Sequence, residues 1–411
     1  MDQKAAFSNR EQLYTYYDDY AAKRRKNIDK HRLDAGKNLL KSYVLETSQK
    51  NGQPDIAGAL KHTSTLQLVP FGDEGLGYLV TPKGEIGYVE PLGSRYFALH
   101  TLRDNNVADR TIQRLTEQAP KIDALWLSGE AFQQLLEQWV VPNTPTRYVH
   151  LKAEYEPRFE RGQAVEGFTE DEDGMGDGEG AAAEASSRLD LSEFSALYRP
   201  AQRLSRNLQQ YRQVDPSWRA VKMLRIPSNQ YGGYDLYSWG KMTYRSPDFR
   251  EGVGKLRFVT DLYEKITQAI ESLVWMHAEE TEPGGPRRFH GLPVVFQFDQ
   301  MLAAGTFENF IDQTFEQRKG PFRLWGNPIA VGPGRFHVYG VDLHMWQQVY
   351  MELSLDRFLF VLPRGTCGNT IHRLMTNIQR FLDPGVKMTI GETDYGGMVR
   401  NALFDREVIN A

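Results

Sequence analysis

Cys367 is the single cysteine of the 411-residue chain and stands in "RFLFVLPRGTCGNTIHRLMTNIQRFLDPG", residues 357–385. The apolar run before it reads as a buried strand, and the segment from Asn369 or Thr370 reads as a helix stopped by Asp383-Pro384-Gly385. A glycine-containing loop entering a helix presents unpaired backbone N–H groups and the positive end of the helix dipole. Gly365 and Gly368 would admit a phosphate close to the backbone, Asn369 or Thr370 would cap the helix, and Arg364 would add charge. The same loop supports a nucleophile. A thiol at a helix start has a lowered pKa, His372 follows five residues on, and Glu392 or Asp394 could orient its imidazole. Plain turn chemistry competes with both readings, because neither G-x-x-x-x-G-K-[ST] nor G-x-G-x-x-G occurs here. Asp342, His344 and His337 have mixed spacing and the chain holds no His-x-x-x-His, so no metal set is assigned and the cofactor stays unknown.

A second set of residues points to polyanions. Arg199, Arg203, Arg206, Arg212, Arg219, Lys222 and Arg225 are interleaved with Tyr198, Tyr211 and Trp218, and Tyr231, Tyr234, Tyr237, Trp239 and Tyr244 follow. Cations that neutralise phosphates beside rings that stack on bases are what a nucleic-acid groove needs. The competing and favoured reading is an interdomain helix whose arginines meet neighbouring acids while the tyrosines pack in a core. Residues 170–184 carry seven acids and no base, so this run could lie over the basic segment as an internal competitor.

The elements that must position these residues follow from periodicity. Residues 10–45 read as helical, and 66–156 as strands alternating with helices, which argues for a parallel sheet. "GYLVTPKGEIGYVEP" is a hairpin, with helices near 106–120 and over Glu130 to Val140. Residues 188–282 read as mostly helical at both ends, with an aromatic loop at 229–249 that would suit a protein partner. In the last third, "LPVVFQF", "RFLFVLP" and "VKMTIG" are strands and "TFENFIDQTFEQ" a helix, while "PIAVGPGRFHVYG" is a hairpin. "DLHMWQQVYMEL" reads as a helix because Leu343, Trp346, Tyr350 and Leu353 follow helical spacing. If strands 335–341, 358–362 and 386–390 are parallel, their carboxyl ends bring the three following loops to one sheet edge.

The expected fold class is therefore α/β. Two sheet-containing α/β regions (mixed sheets with hairpins and βαβαβ units) are separated by an acidic disordered linker and a helical middle region. The divisions fall at a helical segment 1–50, a first α/β domain 51–165, the linker 166–187, a middle region 188–285 with the basic aromatic patch, and a C-terminal α/β domain 286–411. Composition, 40% hydrophobic and 25% charged, is that of a globular protein. No apolar run reaches the ~18–20 residues of a membrane helix. The polar start "MDQKAAFSNREQ" carries no readable signal peptide, and one cysteine suits a reducing compartment, so the cytoplasm is expected. The function expected is binding of an anionic ligand, a nucleotide or a nucleic-acid phosphate, within a larger assembly. Its rivals are an enzyme at the 342/364–372/392–394 edge, either a Cys-dependent hydrolase or an acid-assisted phosphate-ester enzyme, and an interaction scaffold.

Overall fold

The computed structural model describes residues 7–29, 39–161, 191–280, 285–316 and 320–404, save 62, 64–65, 73–74 and 83. The acidic segment 166–187 lies outside them. In chain order the elements begin with helix α1 (Arg10–Asp29), strand β1 (Lys41–Glu46), the pair β2 (Gln49–Lys50) and β3 (Gln53–Pro54), and α2 (Ile56–Leu60). Strands β4 (Gln67–Pro70), β5 (Gly77–Thr81), β6 (Gly84–Pro91) and β7 (Tyr96–Thr101) lead to α3 (Asn105–Gln118) and β8 (Asp123–Ala124). Next come α4 (Gly129–Leu135), α5 (Val141–Asn143), β9 (Val149–Tyr155), β10 (Ser192–Tyr198), α6 (Ala201–Val214) and β11 (Val221–Pro227). Strands β12 (Gly233–Tyr237) and β13 (Lys241–Tyr244) precede the long helix α7 (Phe249–Val274), which is followed by β14 (Trp275–Glu280), β15 (Arg287–His290) and β16 (Val294–Gln297). The chain continues with α8 (Ala304–Ile311), β17 (Leu324–Gly332), β18 (Arg335–Asp342), β19 (Gln347–Ser354) and β20 (Arg357–Pro363). It closes with α9 (Asn369–Phe381), β21 (Lys387–Ile390), β22 (Thr393–Asp394) and α10 (Tyr395–Phe404).

This is a mixed α/β chain whose sheets are largely antiparallel. It divides into two compact units. Among the described residues, one takes those up to Leu125 with Arg225–Asp261, and the other takes those from Trp126 to Leu224 and from Leu262 onward.

In the first unit the strand order is β12-β13-β1-β7-β6-β5-β4, with β8 also pairing β1. All six residues of β1 are buried. Burial on both faces leaves no alternation of two in its apolar residues, Tyr43, Val44 and Leu45, and Lys41, Ser42 and Glu46 are buried beside them. Leu39, Leu40 and Tyr43 thus mimic helical spacing, and the end of the helix expected over 10–45 is corrected: residues 41–46 are strand β1. The expected parallel sheet is corrected too: β1 pairs antiparallel with both β7 and β8. The crossover through α3 therefore joins two co-directional strands separated by an antiparallel one. The aromatic loop at 229–249 is in fact β12 and β13, and Tyr234, Tyr237, Trp239 and Tyr244 are core residues. Tyr231 alone among those five rings is exposed.

In the second unit β10, β9 and β11 are neighbours, and a nine-stranded sheet runs β17-β18-β19-β20-β16-β21-β22, with β14 and β15 beside it. The start of the region expected to be helical is thus a strand, β10. The expected helix at 342–353 is also corrected: it is a turn followed by β19. Val349, Met351 and Leu353 are buried while Gln348 and Tyr350 are exposed. The alternation of two overrides the chance helical spacing, because Trp346 and Tyr350 belong to the solvent side. Strands β18, β20 and β21 are not neighbours. Antiparallel β19 and β16 separate them, so all three run in one direction and their carboxyl ends do share an edge.

One face of this sheet is covered by α8 and α9. Phe307, Phe310, Phe358 and Phe360 are buried there, and the amphipathic helix α9 is shielded along nearly its whole length. Full burial of one such ring contributes roughly 1.5–3 kcal/mol. Among the described residues no helix is long and apolar enough to cross a membrane.

Candidate functional site

The loop between β20 and α9 has the expected frame, with α9 starting at Asn369, but its donors are already engaged. The Gly368 amide donates to Glu271 Oε1 at 2.9 Å, and the Cys367 amide donates to Gln347 Oε1 at 2.7 Å. A Cβ on Gly368 would lie 2.9 Å from Glu271 Cγ and 3.0 Å from the Thr267 carbonyl oxygen. Gly368 therefore lets the loop pack against α7 and does not open the backbone to a ligand. The Tyr263 hydroxyl donates to Asn369 Oδ1, and the Thr370 hydroxyl donates to Asp342 Oδ2. The cap expected from Asn369 or Thr370 is thereby corrected: both are buried within the first turn of α9, whose N-cap is Gly368.

The nucleophile arrangement is likewise not assembled. Cys367 is buried. His372 is buried with both ring nitrogens engaged, Nε2 by Thr267 Oγ1 at 3.1 Å and Nδ1 by the Tyr395 hydroxyl at 2.8 Å. Arg364, Glu392 and Asp394 are exposed, and among the described residues neither acid is ion-paired with Arg364. Asp394 accepts from the Gly397 amide at 2.9 Å, which starts α10.

The basic residues separate into three groups. Lys222 Nζ meets Glu154 at 2.6 Å, and Arg225 holds Asp235 through two bonds of 2.5 and 2.9 Å, so these two are internal ion pairs. Arg199, Arg203 and Arg206 are exposed on or near α6, with Arg199 over the Tyr148 ring and Arg203 over the Tyr198 ring. Arg212 and Arg219 line a cleft.

That cleft, about 410 Å³ in volume, lies wholly in the second unit. Helix α6 supplies Arg212, and the single helical turn Pro216–Arg219 supplies Arg219. The first turn of α4 brings Glu130, β21 brings Lys387, and the start of α10 brings Asp394 and Tyr395. Met375, Val386 and Met388 add apolar surface. Arg212 donates to the Gln133 side chain and, at 3.2 Å, to the Gly129 carbonyl oxygen. Its Nε and the Nε of Arg219 are buried without a hydrogen-bond partner among the described residues. Burial lowers the Arg212 pKa to about 10, with Glu130 opposing the shift and Arg219 adding to it. The guanidinium stays charged at neutral pH. Glu130 accepts from Gln379 Nε2 at 3.0 and 2.9 Å. Burial raises the Tyr395 phenol, whose hydroxyl reaches His372.

Of the residues singled out in the sequence, the cleft thus unites Arg212, Arg219 and Asp394, with His372 one hydrogen bond behind Tyr395. Cys367 is not among its lining residues. Glu130, Lys387 and Tyr395 were missed. Tyr395 follows Asp394 directly in the loop after the strand "VKMTIG", but no local pattern marks Glu130 or Lys387.

A family model described as MJECL33-like protein matches residues 1–395. The chain is 22% identical over 424 residues to the uncharacterized protein MJECL33 of Methanocaldococcus jannaschii, with 96% of each chain covered. No solved structure matches.

Proposed function

The chain belongs to the MJECL33-like protein family, and from that premise we propose that the Arg212–Arg219 cleft binds an anionic ligand, a nucleotide or a nucleic-acid phosphate, within a larger assembly. The observation that carries this is that Arg212 and Arg219 line one cleft. Charge-assisted hydrogen bonds from guanidinium groups to phosphate are roughly twice as strong as neutral ones. Lys387 adds a third cation, and a volume of about 410 Å³ suits a mononucleotide-sized ligand. The buried cysteine suits a reducing compartment, which supports the cytoplasm as the setting.

Titration calorimetry with pyrophosphate and with ATP tests the reading. Arg212→Gln and Arg219→Gln should each weaken binding roughly tenfold or more, following the ~1.5–3 kcal/mol of a charge-assisted hydrogen bond. Absence of binding, or binding by both variants as tight as by the unaltered chain, would overturn it. Glu130 and Asp394 in the same cleft favour acid-assisted phosphate-ester chemistry as the second reading. Release of inorganic phosphate from bound ATP, lost in Asp394→Asn, would favour that reading over simple binding.

A further inference from the structure

Strands β17 to β20 leave one sheet face open to solvent, and aromatic rings stand on it. Trp325 is 37% exposed, Tyr339 67% and Tyr350 38%. Tyr339 pairs across the strands with Tyr350, their rings 5.5 Å apart and nearly perpendicular, and Tyr350 pairs with Val361. Beyond them the β18–β19 turn carries Trp346, 58% exposed. Met345 and Trp346 both hold left-handed backbone, with φ of 64° and 54°. For residues other than glycine this conformation costs roughly 1–3 kcal/mol each and persists where the surroundings over-determine it. Here the surroundings are Asp342, which accepts the His344 amide at 2.9 Å and is locked by Arg373, and Gln347, whose side chain donates to the Gly365 carbonyl oxygen at 2.8 Å. Gln347 thereby ties the Trp346 turn to the turn that bears exposed Arg364. At the other end of the face Arg335, His337 and Arg357, all exposed, gather around Glu352, the single acid on its outward strand positions, at 2.7, 3.5 and 3.7 Å.

We propose that this face of β17–β20 is a docking surface for single-stranded nucleic acid, with bases stacked on Tyr339, Tyr350 and Trp346 and phosphates met by Arg335, Arg357 and Arg364. Exposed rings between cations, on a rigid sheet, are the two elements such binding requires: stacking that tolerates any base and charge that follows the backbone. An eight-residue strand spans roughly 26 Å, room for several nucleotides. Two arginines against one carboxylate, with Arg364 beyond, give the face a positive excess that suits a polyanion over an acidic partner. A second copy joined through the edge is disfavoured by Pro328, which stands in edge strand β17 without an N–H to donate. The surface is separate from the Arg212–Arg219 cleft and does not depend on that reading.

The experiment is fluorescence anisotropy with labelled oligothymidylate and oligouridylate of about 15 nucleotides, at ~50 mM salt and above. The full chain should bind both. Tyr339→Leu and Tyr350→Leu keep apolar area but lose the stacking ring, and each should weaken binding roughly tenfold. Trp346→Asn should act likewise, since asparagine suits the left-handed backbone. Arg335→Gln and Arg357→Gln should each flatten the logarithmic salt slope by about 1. If Tyr350→Leu fails to fold, Tyr339→Leu decides, because that ring already stands in solvent. Failure of the full chain to bind, or leucine variants that bind as tightly, would overturn the proposal. So would self-association abolished by Tyr339→Leu, which marks a face between copies, or oligonucleotide binding lost in Arg212→Gln, which moves the strand to the cleft.

Discussion

Arg373 Nη2 lies 2.5 Å from Asp342 Oδ1, with both side chains shut off from solvent. The pair joins α9 to the end of β18. Arg373 Nε also donates to the Phe322 carbonyl oxygen at 3.0 Å, and the Thr370 hydroxyl takes the second Asp342 oxygen. Removing one partner leaves a buried charge uncompensated. Arg373→Met and Asp342→Asn should each cost ~3–5 kcal/mol, measured by chemical denaturation, while the double replacement recovers part of the loss. The Trp346 emission should shift as well, since Asp342 holds the turn that carries it.

Gly368 and Cys367 separate packing from chemistry. Gly368→Ala places a methyl against Glu271 and the Thr267 carbonyl, and should destabilise by ~1–3 kcal/mol in thermal denaturation. Cys367→Ser should leave anion affinity unchanged in the same calorimetric titration, because the thiol lies outside the cleft. Loss of binding in the serine variant with stability intact would restore the thiol to the site.

Gly129 couples the cleft to the fold. A Cβ there would stand 1.9 Å from the Arg219 carbonyl oxygen, so the backbone would have to move, and with it Arg219. Gly129→Ala should therefore lower melting temperature and pyrophosphate affinity together. Arg219→Gln, by contrast, should lower affinity alone.

Acid should weaken the second unit through Glu154. Burial alone would raise its carboxyl, but Arg380 and Lys222 hold it down at about 2. An unfolded glutamate titrates near ~4.3, so this stabilisation is complete above that pH and is lost as pH falls towards 2. The loss amounts to ~3 kcal/mol, and Glu154→Gln should flatten the acid limb of the stability profile measured by urea denaturation.

Strands and helices whose period agreed with their burial were legible from local pattern: the β5–β6 and β17–β18 hairpins, α3, α9 and the stop at Asp383-Pro384-Gly385. The errors fell where periodicity is ambiguous. Buried β1 carries apolar residues on both faces, and β19 carries them on one face with exposed rings on the other, so both imitate a helix.

For the site, residue types and local order were the part that sequence determined: a basic segment, a loop before α9, acids after β21. Which of these residues meet was decided by tertiary structure, because pairing depends on strand neighbours far apart in the chain. Arg225 and Lys222 were drawn into ion pairs with Asp235 and Glu154, whereas Arg212 and Arg219, a few residues earlier, were left facing Glu130 from α4 and Asp394 from the start of α10. A charge in a sequence has no fixed partner. Burial and the direction of the backbone that carries it decide whether it is neutralised inside the fold or left for a ligand.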